Sequence, residues 1–142
     1  MIILDTNVIS EVMSLSPSPE VLAWLRAVPI FGLGTTTISI AEIRYGVARL
    51  PIGRRRSELE ARFNNYRARI FDNRVFGFDG LAADAYGELV AARERRGRPL
   101  AGLDALIAAI ASSRGLAVAT RDVRDFEGCG ILVIDPWNSG AT

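Results

Sequence analysis

The sequence predicts an α/β domain with a mostly parallel β-sheet, because short apolar runs alternate with longer segments of helical periodicity. Two carboxylates, Asp5 and Asp122, fall just past the ends of apolar runs that have the length and composition of strands. Active sites of parallel sheets lie beyond the carboxyl ends of the strands, so this placement suits a functional site. The chain has 142 residues, of which 49% are hydrophobic, enough for one buried core. It has no internal repeat and no long linker, and we expect a single domain over residues 1–142.

The first elements follow from apolar runs and from residues that begin helices. Met1–Leu4 is an apolar run that predicts a buried strand. Thr6-Asn7 offers a cap for a short helix, and Pro19 suits the first turn of a second helix. The threonine-rich segment 31–38 predicts a second strand, and Ser39 is expected to open the helix that follows it.

The middle of the chain predicts two further helices around a third strand. A Pro-Ile-Gly break at residues 51–53 precedes a long, charged helix over about 54–70, whose apolar stripe has helical spacing. Residues 75–78 predict the third strand. A helix is then expected over 81–96, ended by Gly97.

The C-terminal third predicts one buried helix and two strands. Residues 103–114 are almost entirely apolar, so this helix should lie deep in the protein, and Gly115 ends it. The apolar runs 116–119 and 131–134 predict the last two strands. Residues 138–142 are expected to form a frayed tail.

The absence of two residue types limits the chemistry of the chain. It contains no histidine and no lysine, so all 17 basic residues are arginine. This excludes catalytic triads with histidine, zinc sites with histidine ligands, lysine Schiff bases and the phosphate-binding lysine of P-loop proteins. Catalysis would therefore depend on carboxylates, hydroxyls, arginines or a bound cofactor. The net charge of +1 predicts no global attraction to nucleic acid, so RNA binding would need a local basic patch.

The sequence has no features of a signal peptide or a membrane anchor. The N-terminus begins directly with the apolar run Ile2-Ile3-Leu4, without a basic segment before it. The longest apolar stretch, Ala105–Ala111, is much shorter than the roughly 20 residues that a membrane span requires. The single Cys129 suits a reducing compartment and is expected to be a small buried residue. We therefore expect a soluble, cytoplasmic protein.

Four of the 16 acidic residues, Asp5, Glu42, Asp104 and Asp122, lie at strand ends or in first helical turns beside apolar runs. Each also has a purely structural interpretation. Asp5 and Asp122 could form turns or cap a helix, and Glu42 could complete a Ser-x-x-Glu capping box with Ser39. Asp104 could complement the dipole at the start of its helix, although a buried, unpaired carboxylate is costly.

Together, the four acids predict a metal site. They come from separate segments that should meet at one edge of the sheet, where no lysine or histidine can neutralise them. Clustered carboxylates repel one another unless a cation is bound between them, and ligation by oxygen alone selects Mg²⁺ or Mn²⁺. We expect the carboxylates to lie close enough to share one ion, or two ions about 3.5–4 Å apart, as phosphodiester hydrolysis requires.

At these acids the sequence resembles the PIN-domain family. The segments MIILDTNVISE, TTTISIAEIRYGV, LAGLDALIAAIA and AVATRDVRDF are similar, in this order, to the four signature blocks of PIN-domain proteins. The blocks span nearly the whole chain. The first block and the closing IDPW are most similar to the FitB branch of the VapC toxins.

The resemblance implies a Rossmann-like, three-layer sandwich around a central sheet, a homodimer, and a role as the ribonuclease toxin of a toxin–antitoxin module. The implied substrate is RNA, hydrolysed with the help of Mg²⁺ or Mn²⁺. Transferred by position, Asp5 and Asp104 become the principal metal ligands, and Glu42 and Asp122 complete the catalytic site, with Asp122 also as a ligand.

Two neighbouring positions are less defined by the resemblance. Thr120 matches a position that carries a hydroxyl or an amide in many relatives, and Asp125 matches a variable acid that stays unassigned. The implied partner is a DNA-binding antitoxin that inhibits the nuclease. Because an acidic pocket for RNA phosphate should also accept a guanidinium, we expect the antitoxin to inhibit by inserting an arginine.

The arginines near these motifs have two interpretations each. Arg44 and Arg121 flank the acids in sequence and could hold phosphate oxygens, or could form surface salt bridges. The run Arg54-Arg55-Arg56 could contact RNA or the antitoxin, or could be a solvated helix start.

Other functions fit the sequence less well. Phosphotransferases of the haloacid-dehalogenase type need Asp-x-Asp after the first strand and a later lysine, whereas this chain has Asn7 and no lysine. Receiver domains also need a lysine beside their acidic pocket. A PIN scaffold that binds a metal or a partner without cutting RNA is the remaining alternative, and the complete set of acids speaks against it.

Overall fold

A parallel sheet forms the centre of the computed structural model, which describes residues 1–100 and 102–138. Its order in these ranges is β3-β2-β1-β4-β5, and every neighbouring pair is parallel. The predicted α/β fold with a parallel sheet is therefore confirmed. The strands are Ile2–Leu4 (β1), Leu33–Thr36 (β2), Val75–Phe76 (β3), Ala117–Ala119 (β4) and Val133–Ile134 (β5).

Helices connect the strands and cover the sheet. A short 3-10 turn, Ile30–Gly32, precedes β2, and a π-helical turn, Arg67–Phe71, directly follows the helix Arg54–Tyr66. The α-helices are Thr6–Met13 (α1), Pro19–Ala27 (α2), Thr37–Ala48 (α3), Arg54–Tyr66 (α4), Gly80–Arg95 (α5), Gly102–Arg114 (α6) and Val123–Phe126 (α7).

The strand order places a topological switch point beside β1. From β1 the chain adds β2 and β3 on one side of the sheet, and it later adds β4 and β5 on the other side. Loops that leave β1 and β4 therefore diverge at the carboxyl edge of the sheet, which opens a crevice there. Helix α6 leads into β4, so its first turn lies at this same edge.

Two hydrophobic cores sandwich the sheet, because successive side chains of a strand point to opposite faces. Leu4 belongs to the core beneath α1 to α4, where Phe63 and Phe71 are also fully buried. Ile3 belongs to the core beneath α5 and α6, together with Phe126. The three-layer arrangement implied by the resemblance is thus present.

Several element boundaries differ from the sequence predictions. The second strand is shorter than segment 31–38, because Thr36 ends it and its hydroxyl caps α3 by accepting a bond from the Ser39 amide. Asp5 rather than Thr6 or Asn7 precedes α1 as its N-cap residue.

Helix α7 was not predicted, because four residues are too few to establish a helical period. The third and fifth strands are two residues each, shorter than the apolar runs that predicted them. Of the predicted frayed tail, residues 139–142 lie outside the described residues.

None of the described helices combines the length and the apolar character needed to cross a bilayer.

Candidate active site

The four acids predicted from the sequence all line one open cleft at the carboxyl edge of the sheet. The cleft has a volume of about 500 Å³. Each acid arrives on a different element: Asp5 and Asp122 follow β1 and β4, Glu42 lies on α3, and Asp104 lies in the first turn of α6. The residues lining the cleft are Asp5, Thr6, Asn7, Ser10, Glu11, Ser14, Glu42, Asp104 and Asp122.

Asp5 lies at the end of β1 and is 5% exposed, the most deeply buried acid of the cleft. Its backbone N–H donates to the carbonyl of Ala119 at 2.9 Å, which joins the ends of β1 and β4. Its Oδ1 accepts from the Thr6 amide at 2.8 Å, and its Oδ2 accepts from the Thr120 hydroxyl at 2.8 Å. Burial raises the pKa of Asp5 above its ordinary value, these two bonds lower it in part, and the charges of Glu42 and Asp122 raise it further.

Thr120 is fully buried directly after β4 and connects three parts of the site. Its Oγ1 donates to Asp5 and accepts from the Asp122 amide at 3.0 Å and from Asn7 Nδ2 at 3.3 Å. One donor and two acceptor positions are all that a hydroxyl has, so its orientation is fully determined. The threonine therefore holds the Asp5 carboxylate in one orientation.

Asn7 extends this network from the first turn of α1. Its Nδ2 also donates to Asp122 Oδ2 at 3.1 Å, and its Oδ1 accepts from the Arg121 amide at 3.2 Å. The backbone from Thr120 to Asp122 is thereby tied to α1. Asn7 was proposed from sequence only as a helix cap, and this cross-link between β4 and α1 was missed.

Glu42 does not form the capping box that its spacing from Ser39 suggested. Helix α3 begins two residues earlier, with Thr36 as its cap, and Ser39 is fully buried. Glu42 Oε1 instead accepts from the Thr6 hydroxyl at 2.7 Å, across the cleft from its own helix. The structural interpretation of this acid is therefore wrong, and its carboxylate faces the other acids.

Asp104 lies half-buried in the first turn of α6. Burial, followed by the charges of Asp5, Asp125, Glu42 and Asp122, raises its pKa from 3.8 to about 6. Within the described residues its carboxylate accepts no hydrogen bond and forms no salt bridge. A carboxylate with a raised pKa and no cationic partner is one that a bound cation would stabilise.

Asp122 and Asp125 flank the start of α7 and are both exposed. Asp122 lines the cleft, and its side chain does not cap the helix but accepts from Asn7. Asp125 does not line the cleft, although its charge contributes to the raised pKa of Asp104.

Among the residues that the structure describes, the arginines near the acids are not paired with them. The salt bridges in the described ranges join Arg54 to Glu58, Arg98 to Glu127, and Arg114 to Asp79, all outside the cleft. The exposed pair Arg54–Glu58 agrees with the interpretation of the arginine run as a solvated helix start.

Arg44 and Arg121 both lie over aromatic rings. The Arg44 guanidinium donates to Asn64 Oδ1 at 2.6 Å and lies 4.8 Å from the centre of the Phe63 ring. The Arg121 guanidinium lies 5.0 Å from the centre of the Trp137 ring. The surface salt bridges considered for these two arginines are absent from the described part of the chain.

Sequence reasoning missed a fifth acid, Glu11, which lines the cleft with Ser10 and Ser14. Its Oε2 accepts from the Ser18 amide at 3.0 Å. A signal was available: residues 7, 10, 11 and 14 are polar at helical spacing along a segment whose other face is apolar. That polar stripe marks the face of α1 turned to the cleft.

The cleft suits a hard divalent cation in its donor chemistry. Carboxylate, hydroxyl and amide oxygens line it, and none of the described lining residues is basic. The carboxylates lie farther apart than the sequence predicted. Across residues 1–100 and 102–138, no three acidic or cysteine side chains lie close enough together to hold a metal ion. The carboxylates share one cleft without converging on one point.

Comparison with known proteins finds relatives along the whole chain. The sequence profile of the family described as "PIN domain" matches residues 2–128. The plasmid stability protein StbB of Pseudomonas syringae is 42% identical, over 98% of this chain and 100% of its own length. The VapC ribonuclease Y4jK of Sinorhizobium fredii is 40% identical, over 96% of this chain and 98% of its own length.

Solved structures with the same fold also align along nearly the whole chain. The crystal structure of FitAcB from Neisseria gonorrhoeae aligns with a TM-score of 0.91 and 36% identity, over 97% of this chain and 99% of the other. The structure of FitAB bound to a DNA fragment aligns with a TM-score of 0.91 and 35% identity, over 96% of each chain.

Proposed function

Since this chain belongs to the PIN-domain family, we propose that it is a metal-dependent endoribonuclease that acts as the toxin of a VapBC-type toxin–antitoxin module. One observation carries the proposal. Five carboxylates from α1, α3, α6 and the ends of β1 and β4 line one cleft, and none of them pairs with an arginine within the described residues. The name of the Sinorhizobium relative, a VapC ribonuclease, supports the same activity.

Asp5, Asp104 and Asp122 would hold Mg²⁺ or Mn²⁺ in this cleft. A divalent ion bound there would stabilise negative charge on the phosphate and lower the pKa of water. Asp5 is already oriented by Thr6 and Thr120, whereas Asp104 and Asp122 are less buried and could turn toward an ion, Asp122 by giving up its bond from Asn7. Rotation of these side chains would bring enough carboxylate oxygens together to hold the ion.

Glu42 is the acid best placed to act as a general base. It is half-buried on α3 and lines the cleft, and the Thr6 hydroxyl bonds only its Oε1. This carboxylate would accept the proton that water releases as it attacks the phosphorus. The bond from phosphorus to the leaving ester oxygen then breaks, and that oxygen takes a proton from solvent.

The partners follow from the same cleft. A pocket of carboxylates also fits a guanidinium, so an arginine of a DNA-binding antitoxin would inhibit by pairing with Asp5 and its neighbours. The solved structure of FitAB bound to DNA supports such a partner. We also propose that the protein forms a homodimer and that residues 1–142 form a single nuclease domain.

An RNA-cleavage assay on purified protein, free of antitoxin, tests the proposal. Cleavage is expected with Mn²⁺ and not with EDTA, and Asp104→Asn should abolish it. The matched control is Asp84→Asn, which removes the same charge from an exposed position of α5 and should cut at the wild-type rate. Protein that folds and binds Mn²⁺ but cuts no RNA would instead be a silent PIN scaffold.

A further inference from the structure

We propose that Arg121, stacked on Trp137, forms a phosphate-binding subsite for the RNA strand beside the acidic cleft. This inference rests on the proposed ribonuclease function. It identifies a cationic contact for the RNA strand, which the acidic and neutral polar residues described along the cleft do not provide.

The pair lies at the same edge of the sheet as the acids. Arg121 is the second residue after β4, between Thr120 and Asp122, and Trp137 follows the neighbouring parallel strand β5 by three residues. The Arg121 amide donates to Asn7 Oδ1 at 3.2 Å, and the Asp122 amide donates to Thr120 Oγ1 at 3.0 Å. The guanidinium therefore extends from backbone that is fastened to the site itself.

The aromatic ring beneath the guanidinium is also held in place. The Trp137 amide donates to Asp135 Oδ1 at 2.9 Å, and the ring packs against the core beneath α1 to α4. An arginine resting on a fixed ring has fewer conformations to lose when it binds a ligand than one that extends freely into solvent. The pair is thus prepared for binding before RNA arrives.

The N–H groups of Arg121 remain available, which distinguishes it from Arg44 and Arg114, two other arginines over rings. Arg44 donates to Asn64, and Arg114, which lies over Phe76, is paired with Asp79. In the described part of the chain the exposed guanidinium of Arg121 donates no hydrogen bond and joins no salt bridge, although Asp122 is its neighbour. A planar guanidinium with open donors suits two oxygens of one phosphate.

Electrostatics give this cation a specific role. RNA carries a charge at every nucleotide, and the five carboxylates of the cleft repel it. A divalent ion would neutralise only the phosphate bound at the acids. Because Arg121 flanks Asp122 on the side of β5, we assign to it the phosphate next to the one that is cut.

Binding of a fluorescent single-stranded RNA oligonucleotide, measured by anisotropy in EDTA at several salt concentrations, tests the subsite. Arg121→Gln should weaken binding roughly tenfold, the loss expected for one charge-assisted contact. It should also reduce the slope of log affinity against log salt by about 0.7, the value for one phosphate on a single strand. Trp137→Phe should retain the wild-type affinity and the wild-type salt slope. Trp137→Leu should weaken binding without changing the salt slope, because the charge of Arg121 remains.

The control is Arg49→Gln, which removes an equal charge from another exposed arginine over a ring, 5.5 Å from the centre of Tyr45 at the far end of α3. It should change neither quantity. Equal affinities and slopes for the two glutamine variants would overturn the subsite, as would an Arg121→Gln protein that binds RNA normally and only the antitoxin more weakly. Wild type that binds RNA as described but cuts none with Mn²⁺ would refute the ribonuclease function and leave the subsite standing.

Discussion

The raised pKa of Asp104 makes the stability of the metal-free protein depend on pH in a direction opposite to that of most carboxylates. Burial and the nearby acids favour the protonated form in the folded state, so the folded protein binds more protons than the unfolded chain between pH 3.8 and about 6. The contribution of Asp104 to stability is therefore fully present below pH 3.8 and is lost as the pH rises through about 6. Asp104→Asn removes this dependence.

The size of the effect follows from the same values. A rise in pKa from 3.8 to about 6 would correspond to about 3 kcal/mol for a group that is fully shielded from water. Because Asp104 is only half-buried, solvent screening reduces this to about 1 kcal/mol. We expect wild type to lose that much stability relative to the variant between pH 4 and pH 7.

Urea unfolding in EDTA at several pH values measures the difference. Because neutral Asn resembles the protonated carboxyl, the variant should unfold at about the same urea concentration as wild type near pH 4 and at a higher one near pH 7. Asp84→Asn, which removes an exposed carboxylate outside the cleft, should follow the wild-type curve throughout. If wild type and Asp104→Asn lost stability in parallel over this range, the acids of the cleft would not interact as described.

Three further substitutions test other parts of the structure by urea unfolding. Thr120→Val should cost about 1–3 kcal/mol, because it leaves buried donors and acceptors without their partner; an unchanged midpoint would contradict the hydroxyl network. Arg93→Leu should cost at least about 3 kcal/mol, since this buried side chain donates to three backbone carbonyls, and a small loss would mean that water replaces it. Gly34→Ala should cost about 1–3 kcal/mol, because a Cβ there would lie 2.7 Å from the carbonyl oxygen of Arg74. The control Gly87→Ala, on an open face of α5, should instead stabilise by about 0.5–1 kcal/mol, and the reverse order would refute the argument.

The fold was predictable because its strands are short apolar runs, and the acids were predictable because they lie where those runs end. Asp5 and Asp122 illustrate this. Asp5 follows β1 and Asp122 follows β4, and the carboxyl ends of these two paired, parallel strands lie side by side at one edge of the sheet. Their convergence on one cleft required only the topology, which alternating strands and helices indicate.

The remaining features depend on contacts between distant parts of the chain. Glu42 was ambiguous because its local spacing matched a capping box, and only its bond to Thr6, 36 residues away, distinguishes the two interpretations. Arg93 has the sequence context of a surface charge at a helix end, yet it is 4% exposed because the loop after α7 folds over it. Neither the hydrogen bond of Glu42 nor the burial of Arg93 is indicated by the neighbouring sequence.

Binding of Mn²⁺ to the purified protein, followed by the electron paramagnetic resonance signal of the free ion, tests most directly whether these carboxylates form a metal site. Wild type should remove Mn²⁺ from solution, Asp84→Asn should do so equally, and Asp5→Asn should bind much less, because Asp5 is the buried acid that the other carboxylates surround. Equal binding by wild type and Asp5→Asn, or no binding by wild type, would contradict the proposed site.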